Sequence, residues 1–148
     1  MRLKYIILGD FMIIGFNFTK ISVEKKPKVA AGKINISNNI SITNIEEKEL
    51  AFGRTKQKSL IFTFKFSSKY EPAIGEIELL GNITFVADPA KVTEIINSWK
   101  KDKKIPKEVM TEIINTALNK ANIQALILSR DINLPPPIPL PKIKPKTK

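Results

Sequence analysis

The stretch Leu60-Ile61-Phe62-Thr63-Phe64-Lys65-Phe66 decides the fold. Leu60, Phe62, Phe64 and Phe66 stand two apart, so in an extended chain they share one face. Aromatic residues suit a pleated, half-buried surface. The stretch therefore predicts a strand with one buried side, and three neighbouring segments repeat its period. Downstream, Glu71-Pro72-Ala73-Ile74-Gly75 makes a turn. A second strand follows it, with Ile77, Leu79, Ile83 and Phe85 on one face and Gly81 between them. Upstream, Ile34, Ile36, Ile40 and Ile42 alternate, with a local irregularity expected at Asn38-Asn39. Earlier still, Phe16 and Phe18 fall on even positions but Ile21 and Val23 on odd ones. A bulge or bend near Thr19-Lys20 would return all four to one face.

The connections are read from their polarity. Lys25-Lys26-Pro27-Lys28 ends the first strand, and Val29-Ala30-Ala31-Gly32 makes a small crossover. Residues 46–58 are polar and contain Gly53, so a connection is expected there, anchored by Leu50 and Phe52. Glu46, Glu47 and Glu49 read as solvated carboxylates of that loop. The apolar run from Tyr5 to Phe16 is too short to span a bilayer. Asp10 interrupts it and no small-residue cleavage site follows, so it reads as strand rather than a targeting segment.

After Phe85 the period changes from 2 to 3.6. Asp88 is suited to cap a helix and Pro89 to occupy its first position. Val92, Ile95, Ile96 and Trp99 follow at helical spacing. Lys100 to Lys104 is a basic break, and Pro106 opens a longer helix. Its expected apolar stripe is Met110, Ile113, Ile114, Ala117, Leu118, Ala121, Ala125 and Leu128. Near its end Ile123, Leu126 and Ile127 form a second apolar face, which predicts a contact between subunits. From Leu134 onward the chain holds six of its ten prolines and is expected to be extended.

Composition narrows the function. The 148 residues carry 25 Lys+Arg against 14 Asp+Glu, a net charge of +11, with neither Cys nor His. That excludes a thiol nucleophile, a disulfide framework, a Ser-His-Asp triad and any imidazole base or ligand. No Gly-rich phosphate-binding pattern occurs, so no nucleotide, metal or other cofactor is expected, and the chain reads as a non-enzyme. Lys100, Lys101, Lys103, Lys104 and Lys107 cluster, and Lys142, Lys144, Lys146 and Lys148 alternate. These lysines suit phosphate contacts. With only three Arg, sequence-specific base recognition is poorly supplied. The Phe62/Phe64/Phe66 row has the spacing of a base-stacking platform but reads better as core.

Two local stretches resemble the bacterial SecB export chaperones. Phe18-Thr19-Lys20-Ile21-Ser22-Val23-Glu24 followed by Pro27 looks like that family's first strand. Ile127-Leu128-Ser129-Arg130-Asp131-Ile132-Asn133-Leu134-Pro135-Pro136-Pro137-Ile138-Pro139-Leu140-Pro141 looks like the end of its long helix and the exit from it. The resemblance covers roughly residues 16–141 and lies in the order of the pieces. It implies an α+β subunit with a four-stranded antiparallel sheet, a short and a long helix, and a cytoplasmic homotetramer. It also implies an ATP-independent holdase for unfolded or preprotein clients. On this reading residues 1–141 form one domain and residues 142–148 a basic, disordered tail. The client contacts are expected at Phe16, Phe18, Val29, Leu134, Ile138 and Leu140, and the oligomer contact at Ile123, Leu126 and Ile127.

Three departures qualify the resemblance. The family's lid helix after the Pro-rich exit is expected to be missing, because the sequence ends at Lys148. The crossover lacks an aromatic residue. The family is acidic where SecA docks, whereas this chain is basic, which argues against SecA delivery. The alternatives are a basic nucleic-acid-binding protein and a structural subunit of a larger assembly.

Overall fold

The computed structural model describes residues 11–27 and 32–140, apart from the side chain of Phe52. Four strands precede two helices: β1 Phe11–Lys25, β2 Asn35–Phe52, β3 Thr55–Glu71, β4 Gly75–Ala87, α1 Pro89–Asp102 and α2 Lys107–Asp131. All pairings are antiparallel and the spatial order is β1-β4-β3-β2, a Greek-key arrangement in an α+β fold.

The apolar period sets the faces. Phe62 lies between Ile45 and Ile83, Phe64 between Ile42 and Gly81, and Phe66 between Ile40 and Leu79. Phe62, Phe64 and Phe66 are fully buried, which settles that row as core rather than a stacking surface. A Cβ on Gly81 would lie 2.6 Å from Phe64 Cζ, so the bare glycine makes room for that ring. Phe16 and Phe18 then stack around Phe64, with centroids 5.5 and 6.3 Å away. The expected bulge in β1 is present, since register shifts between Phe18 and Lys20. A second one lies between Ile13 and Gly15. Together they bring Phe16, Phe18, Ile21 and Val23 opposite Ile83, Gly81, Leu79 and Ile77.

Two expectations about β2 are corrected. Asn38 and Asn39 pair regularly, and the irregularity falls between Ile42 and Asn44. Residues 46–58 are not a connection: β2 runs on to Phe52, turns through Gly53 at φ 63°, and returns as β3 from Thr55. This ribbon reaches past β4, whose pairing with β3 begins at Ser59. With both faces wet it shows no apolar alternation, and opposed charges take over its cross-strand pairs. Lys58 lies 3.7 Å from Glu47 and Lys56 3.8 Å from Glu49.

Asp88 caps α1 by accepting from the Lys91 amide at 2.9 Å, and Pro89 occupies the first turn, as the sequence predicts. Val92, Ile95, Ile96 and Trp99 are buried on the sheet. In α2 the buried row is narrower than the expected stripe. It runs Val109, Ile113, Ala117, Ala121, Ala125 and Ser129, while Met110, Ile114, Leu118 and Leu128 are half-buried. A row of fourth residues drifts about 40° per step around a helix of 3.6 residues per turn. A slanted seam of this kind follows a twisted sheet, and its alanines permit close approach. The first half of α2 packs with Phe85, Leu60 and α1, the second half with Phe66, Tyr70, Leu79 and Leu134.

Candidate functional site

At the end of α2 the chain reverses. Asn133 adopts φ 58°, and the Leu134 amide donates to the Ser129 carbonyl at 2.8 Å, which closes the helix. From there Leu134-Pro135-Pro136-Pro137-Ile138-Pro139-Leu140 is free of regular secondary structure and bends at Pro137-Ile138, rather than being extended throughout as the sequence predicts. Prolines cannot donate, so this strap offers carbonyls, and the strands supply donors. Lys25 Nζ of β1 reaches the Asn133 carbonyl at 3.3 Å. The Tyr70 hydroxyl of β3 donates to the Pro135 carbonyl at 2.6 Å. Asn38 Nδ2 of β2 donates to the Pro137 carbonyl at 2.8 Å, and Ser68 Oγ holds the other side of that amide at 2.6 Å. The strap is thus fastened to β3 and β2, and the reversal just before it to β1. Leu134 is buried with Tyr70, Ile74 and Ala125, and burial pushes the Tyr70 phenol up to about 12.

Between strap and helix lies a groove of about 460 Å³, lined by Leu126, Ile127, Ser129, Arg130, Leu134, Pro136 and Leu140. Its walls are chiefly apolar, with one guanidinium and no carboxylate. Ile127 and Leu140 are 40% and 46% exposed, and Ile123, one turn back on α2, is 57% exposed. Lys120 reaches over the Phe16 ring at 5.8 Å, so that side of α2 faces β1. Ile123 and Ile127 stand within about 60° of Lys120 around the axis. Ile21 of β1 is likewise exposed, at 47%.

The structure redistributes the residues singled out in the sequence. Leu134 and Leu140 line the groove, and so do Leu126 and Ile127, which were assigned to the oligomer contact. Ile138 is half-buried in the strap. Phe16 and Phe18 are half-buried on β1 and pack against the core rather than lining the groove. Val29 lies outside the described residues. Sequence reasoning missed Ser129, Arg130 and Pro136 in the lining and all the strap's fastenings. Tyr70 carried a signal: it continues the even-numbered buried face of β3 beyond Phe66.

A second hollow of about 450 Å³ sits where Glu49, Thr55, Lys56, Gln57, Lys58 and Pro89 meet at the ribbon's root. Among the described residues no group of Asp and Glu could hold a metal ion, and no helix is long and apolar enough to cross a membrane.

Element order and sheet topology define a SecB-like α+β fold. Among solved structures, the chain is similar to the SecB-like chaperone Rv1957 of Mycobacterium tuberculosis, in complex with a ChAD peptide from the Rv1956 HigA1 antitoxin. The TM-score is 0.50 at 10% identity, over 91% of this chain and 88% of that one. At that identity the likeness concerns the fold. No protein-family model and no curated protein matches the chain.

Proposed function

We propose that this protein is an ATP-independent holdase that binds extended apolar segments of unfolded proteins. One observation carries the reading: an open apolar groove walled by Leu126, Ile127, Leu134, Pro136 and Leu140, kept open by a fastened strap, at the end of a SecB-like fold. A holdase needs exposed apolar surface and broad tolerance of sequence rather than a catalytic constellation. The similar chaperone's complex with a peptide supports a peptide as the occupant. The same reading makes the active form a cytoplasmic homotetramer, associated through Ile123, Leu126 and Ile127. It takes unfolded or preprotein clients without SecA.

The test is suppression of light scattering by a heat-denatured client at stoichiometric protein without nucleotide. Protection should be unchanged by ATP and should survive moderate salt. The variant Leu140→Asp should lose it, because an unpaired carboxylate in an apolar contact is strongly disfavoured. Failure of every client at a large excess of protein would leave the structural-subunit reading in its place.

A further inference from the structure

The turn between α1 and α2 carries Lys100, Lys101, Lys103, Lys104 and Lys107 against Asp102 alone, a net +4 over eight residues. All five lysines are exposed. Elsewhere several lysines are matched: Lys20 and Lys65 share Glu78, Lys26 meets Glu24, Lys56 meets Glu49, and Lys58 meets Glu47, while Lys48 and Lys69 on the sheet have no carboxylate within 4.0 Å among the described residues. Lys100, Lys101, Lys104 and Lys107 have no carboxylate within 4.0 Å among the described residues, and Lys103 lies over the Trp99 ring at 4.9 Å. Glu108, the acid in the first turn of α2, is engaged by Lys91 at 3.0 Å.

Folding accounts for only part of this charge. Lys100 and Lys101 in the last turn of α1 complement its negative end. Lys104 and Lys107 do the opposite, because they sit at the positive end of α2, whose Pro106 cap supplies no side-chain acceptor. Like charges crowded at a helix terminus that disfavours them indicate an anion supplied from outside. The chemistry also selects the anion. Protein interfaces have an apolar centre and are depleted in lysine. Among the described residues the large exposed apolar ones are Ile14, Ile21, Ile123, Ile127 and Leu140, none of them here, and Trp99 is 8% exposed. Lysines without aromatic or Arg anchors suit a phosphate backbone, read without regard to base sequence.

We propose that the α1–α2 corner is a docking surface for the phosphate backbone of a nucleic acid, independent of the apolar groove. Helix α2, at 25 residues, sets the two surfaces about 37 Å apart along its axis. One molecule can therefore hold a client at one end and a nucleic acid at the other.

The experiment titrates the full-length protein into a fluorescein-labelled RNA and a DNA duplex of about 20 base pairs, by anisotropy at about 50 and 200 mM salt. Contacts from all five lysines would give the duplex a logarithmic salt slope of about −4.5, which is about 500-fold weaker binding across that range. Replacing Lys100, Lys101, Lys104 and Lys107 by Gln should lower the slope by about 1 per lysine and weaken low-salt binding at least about tenfold. Replacing the same four by Arg should leave binding intact, which separates charge from folding. Deleting residues 142–148 should leave both affinity and slope in place. The inference is overturned by an absence of low-salt binding to both probes, by a Gln variant that binds as wild type, or by loss of binding in the Arg variant. It is equally overturned if the tail deletion alone removes binding, or if polyglutamate of equal length competes as well as RNA. Client protection by the Gln variant should be unchanged, so this test and the holdase test fail separately.

Discussion

Replacing Tyr70 by Phe isolates what fastens the strap. The ring is 1% exposed and stays packed in Phe, so the change removes the hydroxyl that donates to the Pro135 carbonyl at 2.6 Å. A net hydrogen bond contributes about 0.5–1.5 kcal/mol, and a buried carbonyl left unpaired costs about 1–3. Pro135 is half-buried, so an intermediate loss of about 1–2 kcal/mol is expected. For a chain of this length that lowers the melting temperature by about 2–8 °C if the opening is global. If it is local, the Leu134 amide, bonded to the Ser129 carbonyl, should exchange about 5–30 times faster. The pH dependence follows from the phenol, raised from 10.0 to about 12 in the fold. Its contribution is fully present below pH 10 and is lost as pH rises through 12. Ultraviolet titration should show one late-ionising phenol fewer in the variant than in the wild type. An unchanged melting point together with unchanged exchange at Leu134 would refute the role given to this bond.

Further outcomes are expected elsewhere. Ile127→Glu should reduce the sedimenting species to a monomer of 16.7 kDa, and a wild type already at that mass would remove the oligomer from the proposal. Gly81→Ala forces a Cβ to within 2.6 Å of Phe64 Cζ and 2.7 Å of the Asn17 carbonyl, and Phe64 is fully buried. It should destabilise by about 1–3 kcal/mol or more, measured by urea unfolding. Deleting residues 142–148 should leave thermal stability and client protection near wild type, whereas deleting 134–148 should lower both, because Leu134 belongs to the core.

The sheet was readable where one face is dry. Every even residue from Leu60 to Phe66 and every odd one from Ile77 to Leu79 is fully buried, so period and burial coincide. The β2–β3 ribbon was unreadable for the converse reason. It has no dry face, and the pairing of Glu47 with Lys58 is visible only once the register is known. In α2 the apolar count overstated the stripe, because small Ala117, Ala121 and Ala125 and polar Ser129 form the seam while larger residues stand beside it. The candidate groove was half legible. The proline run gave the strap, and Leu134 and Leu140 followed from its apolar residues. The fastenings join positions 65 and 99 residues apart in the chain, a separation that no local pattern encodes.

The strap has a consequence for how a client could be released. Between Leu134 and Leu140 the prolines at 135, 136, 137 and 139 leave amides only at Leu134, Ile138 and Leu140, and that of Leu134 is already spent on Ser129. A β-ladder needs donors and acceptors in alternation, so this wall cannot template a strand. A captured segment would be gripped by its side chains while its main chain stayed hydrated. The surface would then be blind to chain direction and handedness: a peptide of D-residues with the same apolar content should compete with its natural counterpart. It would also give a departing client no ordered edge on which to nucleate aggregation.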